Sequence, residues 1–158
     1  MKMALIDVVV FEIGGTLYAL DIHLAREIVE MMPITPVPRA PPHIAGIINL
    51  RGEITNILNL NRILNLPEHE NEETQKIIVL MPDASGGSNV GIIVDNVRSV
   101  IQVEEENIES MDNSFSKEAF VKGIIKEKTE ESGAAGKTDL IIWLDMNLIL
   151  AGLNIENL

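Results

Sequence analysis

Cysteine is absent from all 158 residues, which rules out disulfides and thiolate metal sites and suits a reducing compartment. Aromatic residues make up only 3% of the chain, so whatever core forms must be aliphatic. Basic residues are scarce too: 12 Lys and Arg face 24 Asp and Glu, a formal charge of −12. Such an excess repels phosphate backbones and anionic bilayers, so nucleic acid and direct membrane insertion are not expected. No apolar run approaches the ~20 residues a membrane span requires. The opening MKMALIDVVVF is broken by Asp7, is followed at once by Glu12, and reads as a strand, not a signal peptide. Together these absences point to a soluble, cytoplasmic protein.

What is present is a 46% hydrophobic fraction carried by Ile, Leu and Val, enough for an ordered fold. The length suits one ordinary domain or two very small ones packed together. Apolar segments are short, β-branched and bounded by turn residues, which is the pattern of strands. Strands are expected near 5–13, 16–22, 25–32, 44–50, 52–58, 75–82, 90–95, 97–103, 121–128 and 138–144. Gly14-Gly15 supplies the positive backbone angles of a tight hairpin between the first two. Five of the seven prolines fall in PITPVPRAPP, residues 33–42, read as an ordered crossing because apolar residues are interleaved. Polar connections are expected at 67–75, 104–117 and 127–137, and a hairpin loop at 83–89. A short helix is expected around 59–66 and another after Asp145, with Leu144 and Ile149 flanking the cap. Two groups of five strands separated near 67–74 imply two small units, each too small for a private core and therefore sharing apolar surface.

Three motifs invite a catalytic reading, and each fails on chemistry. VVVFEIGGTLY resembles the nucleophile loop of dehalogenase-type phosphatases, but Glu12 stands at the nucleophile and Gly14 at the general acid. One extra methylene displaces the attacking oxygen by about an ångström, a ~100-fold penalty by misplacement alone, and the acid is gone. GAAGKT at 133–138 lacks the first glycine of a phosphate loop, has Glu131 in its place, and is followed by a strand where a helix N-terminus is needed. His23, His43 and His69 show no metal-ligand spacing. A small acidic hydrolase, the rival from another class, would need a constellation that this sequence lacks, and neither metal nor cofactor is expected.

The central stretch IAGIINLRGEI, residues 44–54, is an apolar strand, a turn carrying Arg51, and a second strand; Gly52 allows the tight bend. By itself a turn arginine is an ordinary surface feature. In the order FEIGGTLYALDI, AREIVEM, the proline segment, HIAGIINLRGEI, VGIIVDNVRSV and GIIKE…LIIWLDMNLIL, however, nearly the whole chain resembles the CheW-type chemotaxis coupling proteins. The resemblance implies a mostly β fold of two intertwined five-stranded SH3-like barrels sharing a core, with short helices including one at the C-terminus. It implies one CheW-like domain over 1–158, with subdomains near 14–66 and 76–144 that the first strand and last helix complete. It implies a non-enzymatic adaptor joining the regulatory domain of a CheA-type histidine kinase to the cytoplasmic tip of methyl-accepting chemoreceptors. A coupling protein of the same fold in a surface-motility or developmental pathway is the alternative. The residues it implicates in protein binding are Asn49, Leu50, Arg51 and Gly52, with Glu27 expected beside Arg51 and Ile54 and Ile57 as kinase-facing positions. The chain departs from the family pattern where Asn56 replaces a proline and Asn59-Leu60-Asn61 replaces Asp-Leu-Arg, with Arg62 one step late.

Overall fold

The computed structural model describes residues 5–66, 74–85, 87–109, 120–128 and 138–152. Among the described residues, eleven strands form two sheets. In chain order they are β1 (Leu5–Ile13), β2 (Thr16–Asp21), β3 (Ala25–Glu30), β4 (Ile44–Leu50), β5 (Glu53–Leu58), β6 (Lys76–Leu80), β7 (Val90–Val94), β8 (Asn96–Glu104), β9 (Ile108–Glu109), β10 (Val121–Lys128) and β11 (Thr138–Leu144). The α-helices among the described residues are short, α1 (Leu60–Ile63) and α2 (Met146–Ala151). Neither is long and apolar enough to cross a membrane.

Ten of the strands stand within a few residues of their expected limits. The eleventh, β9, is a two-residue strand inside the stretch read as a solvated connection. It pairs Ile108 and Glu109 with Ile125 and Ile124. Residues 110–117 of that stretch, the 67–73 connection and residues 129–137 of the third connection lie outside the described residues.

One sheet runs β8-β1-β2-β11-β10-β9 and the other β3-β6-β7-β5-β4. Each draws strands from both stretches expected as subdomains, so the chain is interwoven rather than split into a first five and a second five. The reason is in the side chains. β1, β6 and β7 are apolar on both faces and need two apolar partners each. On β1, Val9, Phe11 and Ile13 enter a large cluster, while Val8 and Val10 enter another with Ala19, Val103, Ile125 and Ile141. On β6, Ile78 and Leu80 join the large cluster while Ile77 and Val79 pack with Ile48, Ile57 and Ile93. The large cluster therefore lies between the sheets, and each sheet encloses a smaller one of its own. This is the shared core of two barrels.

The crossing between the sheets is tight. β7 ends at Val94 and β8 begins at Asn96, leaving only Asp95 between them. The Asp95 N–H donates to the Glu12 carbonyl at 2.9 Å, and its carboxylate accepts from the Gly14 N–H at 2.7 Å. The proline segment is an ordered crossing as expected: Thr35 exchanges two backbone hydrogen bonds of 2.9 Å with Ile47 of β4.

The helix expected over 59–66 is a single turn. Asn65 stops it at φ 58°, where the Leu66 N–H reaches back to the Asn61 carbonyl at 2.7 Å and the Asn65 N–H to the Arg62 carbonyl at 3.3 Å. That is a left-handed C-terminal cap, a conformation asparagine tolerates. α2 starts as its sequence suggests: the Leu148 N–H donates to the Asp145 carboxylate at 3.0 Å, and Leu144 and Ile149 are both buried in the large cluster.

Candidate protein-interaction site

Arg51 and Gly52 are the two loop residues of the β4–β5 hairpin, between the paired Leu50 and Glu53. Both have positive φ, 52° and 85°, so the turn is of the mirror-image type that suits the twist of a hairpin. Glycine adopts this without penalty, but a left-handed arginine costs roughly 1–2 kcal/mol. The turn is held by its neighbours. The Gly52 N–H donates to Asn49 Oδ1 at 2.9 Å, and the Arg51 guanidinium donates to the Glu27 carboxylate on β3. A second pair runs alongside, Arg26 to Glu53 at 3.6 Å, and Asn89 reaches the same Glu53 carboxylate at 3.5 Å.

These contacts do more than fix a turn. β3 and β4 are the two ends of the five-stranded sheet, yet β3 is ion-paired to the turn that follows β4. The sheet has curled until its edges meet, and the charged pairs bridge them. The hydrogen bond from Arg51 holds the Glu27 carboxyl below the usual carboxylate range, and Glu27 raises Arg51 in return.

The expected residues divide into three groups. Glu27, Asn49, Arg51 and Gly52 are brought together at the turn. Leu50 leans against the core of the five-stranded sheet, and Ile54, paired across the ladder with Asn49, stands 57% exposed beside it. Ile57 is a correction. It is fully buried, at 0% exposure, in the same small core as Ile48 and Ile77. Three residues along a strand is an odd interval, so Ile54 and Ile57 point to opposite faces, and only Ile54 can meet a partner.

The sequence reading missed Arg26 and Glu53, whose pairing thickens the charged seam. The alternation of Arg26 and Glu30 around an exposed Ile28 on β3 was the available signal. The departures also find their places. Asn56 takes part in the ladder, its N–H donating to the Asn89 carbonyl at 2.9 Å. Asn59 precedes α1 without a side-chain cap bond, and Asn61 is buried.

The seam has hydrogen-bonded charges, two exposed isoleucines, Ile28 and Ile54, and a tight turn. Charged pairs around exposed apolar side chains are the make-up of a contact surface.

Residues 7–153 match the model of the CheW-like domain. The chain is 39% identical over 114 residues to the chemotaxis protein CheW of Bacillus subtilis (strain 168), covering 72% of this chain and 70% of that protein. To the chemotaxis protein CheW of Thermotoga maritima it is 29% identical over 152 residues, 95% of this chain and 91% of the relative. Its fold superposes on the crystal structure of the scaffolding protein TtCheW from Thermoanaerobacter tengcongensis with a TM-score of 0.70, at 32% identity over 89% of each chain. By sequence over nearly its full length and by the architecture of its two sheets, this chain belongs to the CheW-like domain family and is a chemotaxis coupling adaptor.

Proposed function

We propose that this adaptor joins the regulatory domain of a CheA-type histidine kinase to the cytoplasmic tip of methyl-accepting chemoreceptors, in the cytoplasm and without catalysing a reaction. It works as one unit, with subdomains near 14–66 and 76–144 contributing strands to both barrels. The observation that carries the reading is the Arg51–Glu27 pair, which ties a strained turn to the opposite edge of its sheet beside the bare Ile54. Strained, polar and exposed together is an unusual combination for a hairpin turn, and strain kept at a surface is a sign of use. Asn49 and Gly52 shape the turn, Arg51 and Glu27 present charge, and Leu50 and Ile54 supply the apolar part of the contact. Receptor tips are helical hairpins, and an apolar patch with a polar rim can take one helix face.

Regulation then needs no chemistry. A receptor that shifts by a fraction of a helical turn favours one adaptor–kinase geometry over another and moves the kinase between states. Arg51→Ala tests this. The variant is expected to fold, because Arg51 is exposed and Glu27 only half-buried, and such surface pairs contribute little to stability. It is expected to lose receptor capture, or receptor control of the kinase, in a reconstituted assay. Unchanged capture and control would remove the turn from the contact.

A further inference from the structure

On the far side of the β5–α1 segment lies a cleft of about 640 Å³ whose polar lining is His43, Asn61, Arg62 and Asn65. A second cavity of about 310 Å³ shares four wall residues with it, Ile63, Asn65, Leu66 and Phe120. Its remaining walls are Tyr18, Leu64, Val121, Ile142 and Leu144, almost wholly apolar. Through those shared walls a polar cleft, the vestibule, adjoins a mostly apolar one, where α1 and the chain after it meet β2, β10 and β11. Both volumes are of the size that holds small ligands.

Two further features set this place apart. Asn61 is 4% exposed, and its Oδ1 is the buried side-chain oxygen that has no hydrogen-bond partner among the described residues. A buried acceptor left empty is unfavourable and calls for an explanation. Two wall residues also sit in the left-handed region, Asn65 at φ 58° and Phe120 at φ 58°. Asparagine accepts that conformation, whereas for a bulky phenylalanine it is a true outlier of the kind found at ligand clamps.

We propose that this cleft binds a small hydroxylated carboxylic acid with an apolar tail. The tail lies in the apolar cleft against Tyr18 and Phe120. The carboxylate lies in the vestibule toward Arg62 and His43, the arginine having five donors and so able to serve more than one acceptor. The hydroxyl donates to Asn61 Oδ1, which turns toward the vestibule by rotation about the last side-chain bond, a soft torsion. This site shares no residue with the Arg51 turn, so it stands or falls apart from the adaptor reading.

The test is a calorimetric titration of the full chain with 3-hydroxyoctanoate, with octanoate and 1-octanol as comparisons. Saturable one-to-one binding of the hydroxy acid is expected, with octanoate and octanol each weaker by about tenfold, the worth of one hydrogen bond or charged contact. Asn61→Leu should bind hydroxyoctanoate and octanoate alike, and Arg51→Ala should bind as the unaltered protein does. Where Asn61→Leu fails to fold, nuclear Overhauser contacts from the probe's tail to the Tyr18 and Phe120 rings of the unaltered protein carry the test. Absence of saturable binding overturns the proposal, as does an Asn61→Leu variant that still discriminates the hydroxyl. Shifts of the cleft residues on adding a receptor fragment, with none on adding the probe, would overturn it in favour of a peptide side chain.

Discussion

At the scale of single residues, β5 gives the clearest contrast. Ile54 and Ile57 are chemically identical and lie on the same strand, yet one is bare and the other is sealed in a core. Ile57→Ala is expected to destabilise by about 2–5 kcal/mol, the range for truncating a buried aliphatic side chain. Ile54→Ala should fall within about 0.5 kcal/mol, as surface changes do. Urea unfolding of the two variants checks both. Charge at the turn gives a pH prediction. Because Arg51 depresses the Glu27 carboxyl, the pair contributes above the ordinary glutamate range and is lost as pH falls through the depressed value. The melting temperatures of the unaltered protein and Arg51→Ala should therefore converge in acid. Glu104 behaves in the opposite sense. A hydrogen bond with Glu106 raises its carboxyl, so that pairing contributes most below the ordinary range and fades as pH rises through the raised value. Glu106→Gln should then favour the folded state more at neutral pH than in acid, by a small margin because the site is exposed.

At the scale of elements, caps and crossings decide where strands and helices stop. Asp145 caps α2 through its carboxylate, and Asp145→Ala should cost about 1 kcal/mol in thermal unfolding. Gly46 is the position where β4 passes under the proline segment: a Cβ built there would stand 2.3 Å from the Thr35 carbonyl oxygen and 2.7 Å from an Ile34 methyl. Gly46→Ala must push the crossing off β4, breaking the Thr35–Ile47 bonds, and amide exchange at Ile47 should quicken as a result. Most of these elements were legible beforehand because each is a local pattern. The Asp145 cap with its Leu144 and Ile149 flanks and the Gly14-Gly15 turn are read within a few residues. β9 was not legible: two residues, Ile108 and Glu109, carry no period, and only β10 makes them a strand. The truncation of α1 was legible only in hindsight, since Asn65 is as acceptable inside a short helix as at its end until its backbone angle is known.

At the scale of the whole molecule, the large cluster decides behaviour. It gathers side chains from both sheets and both helices, so neither barrel can lose its partner without exposing its own wall. A single cooperative transition is expected, with the fluorescence of Trp143, in the six-stranded sheet, coinciding with far-ultraviolet dichroism of the whole chain. The interweaving could not be read from the sequence. Strands that are apolar on both faces, such as Ile77–Leu80, announce that they are buried but not against which neighbour, and their pairings span long intervals of chain. The site was legible in part for a related reason. Asn-Leu-Arg-Gly marks its turn locally, whereas Glu27 meets Arg51 across 24 residues and was placed there by the family resemblance alone. Ile57 came with the family resemblance, and NILNL, apolar on both faces, offers no phase that would have shown it to be buried. The most direct measurement is the affinity of a receptor cytoplasmic-tip fragment for the unaltered chain and for Arg51→Ala, with circular dichroism confirming that both are folded. The account predicts saturable binding by the first and binding weakened at least tenfold, by the order of one charged contact, in the second; equal affinities in two folded proteins would contradict it.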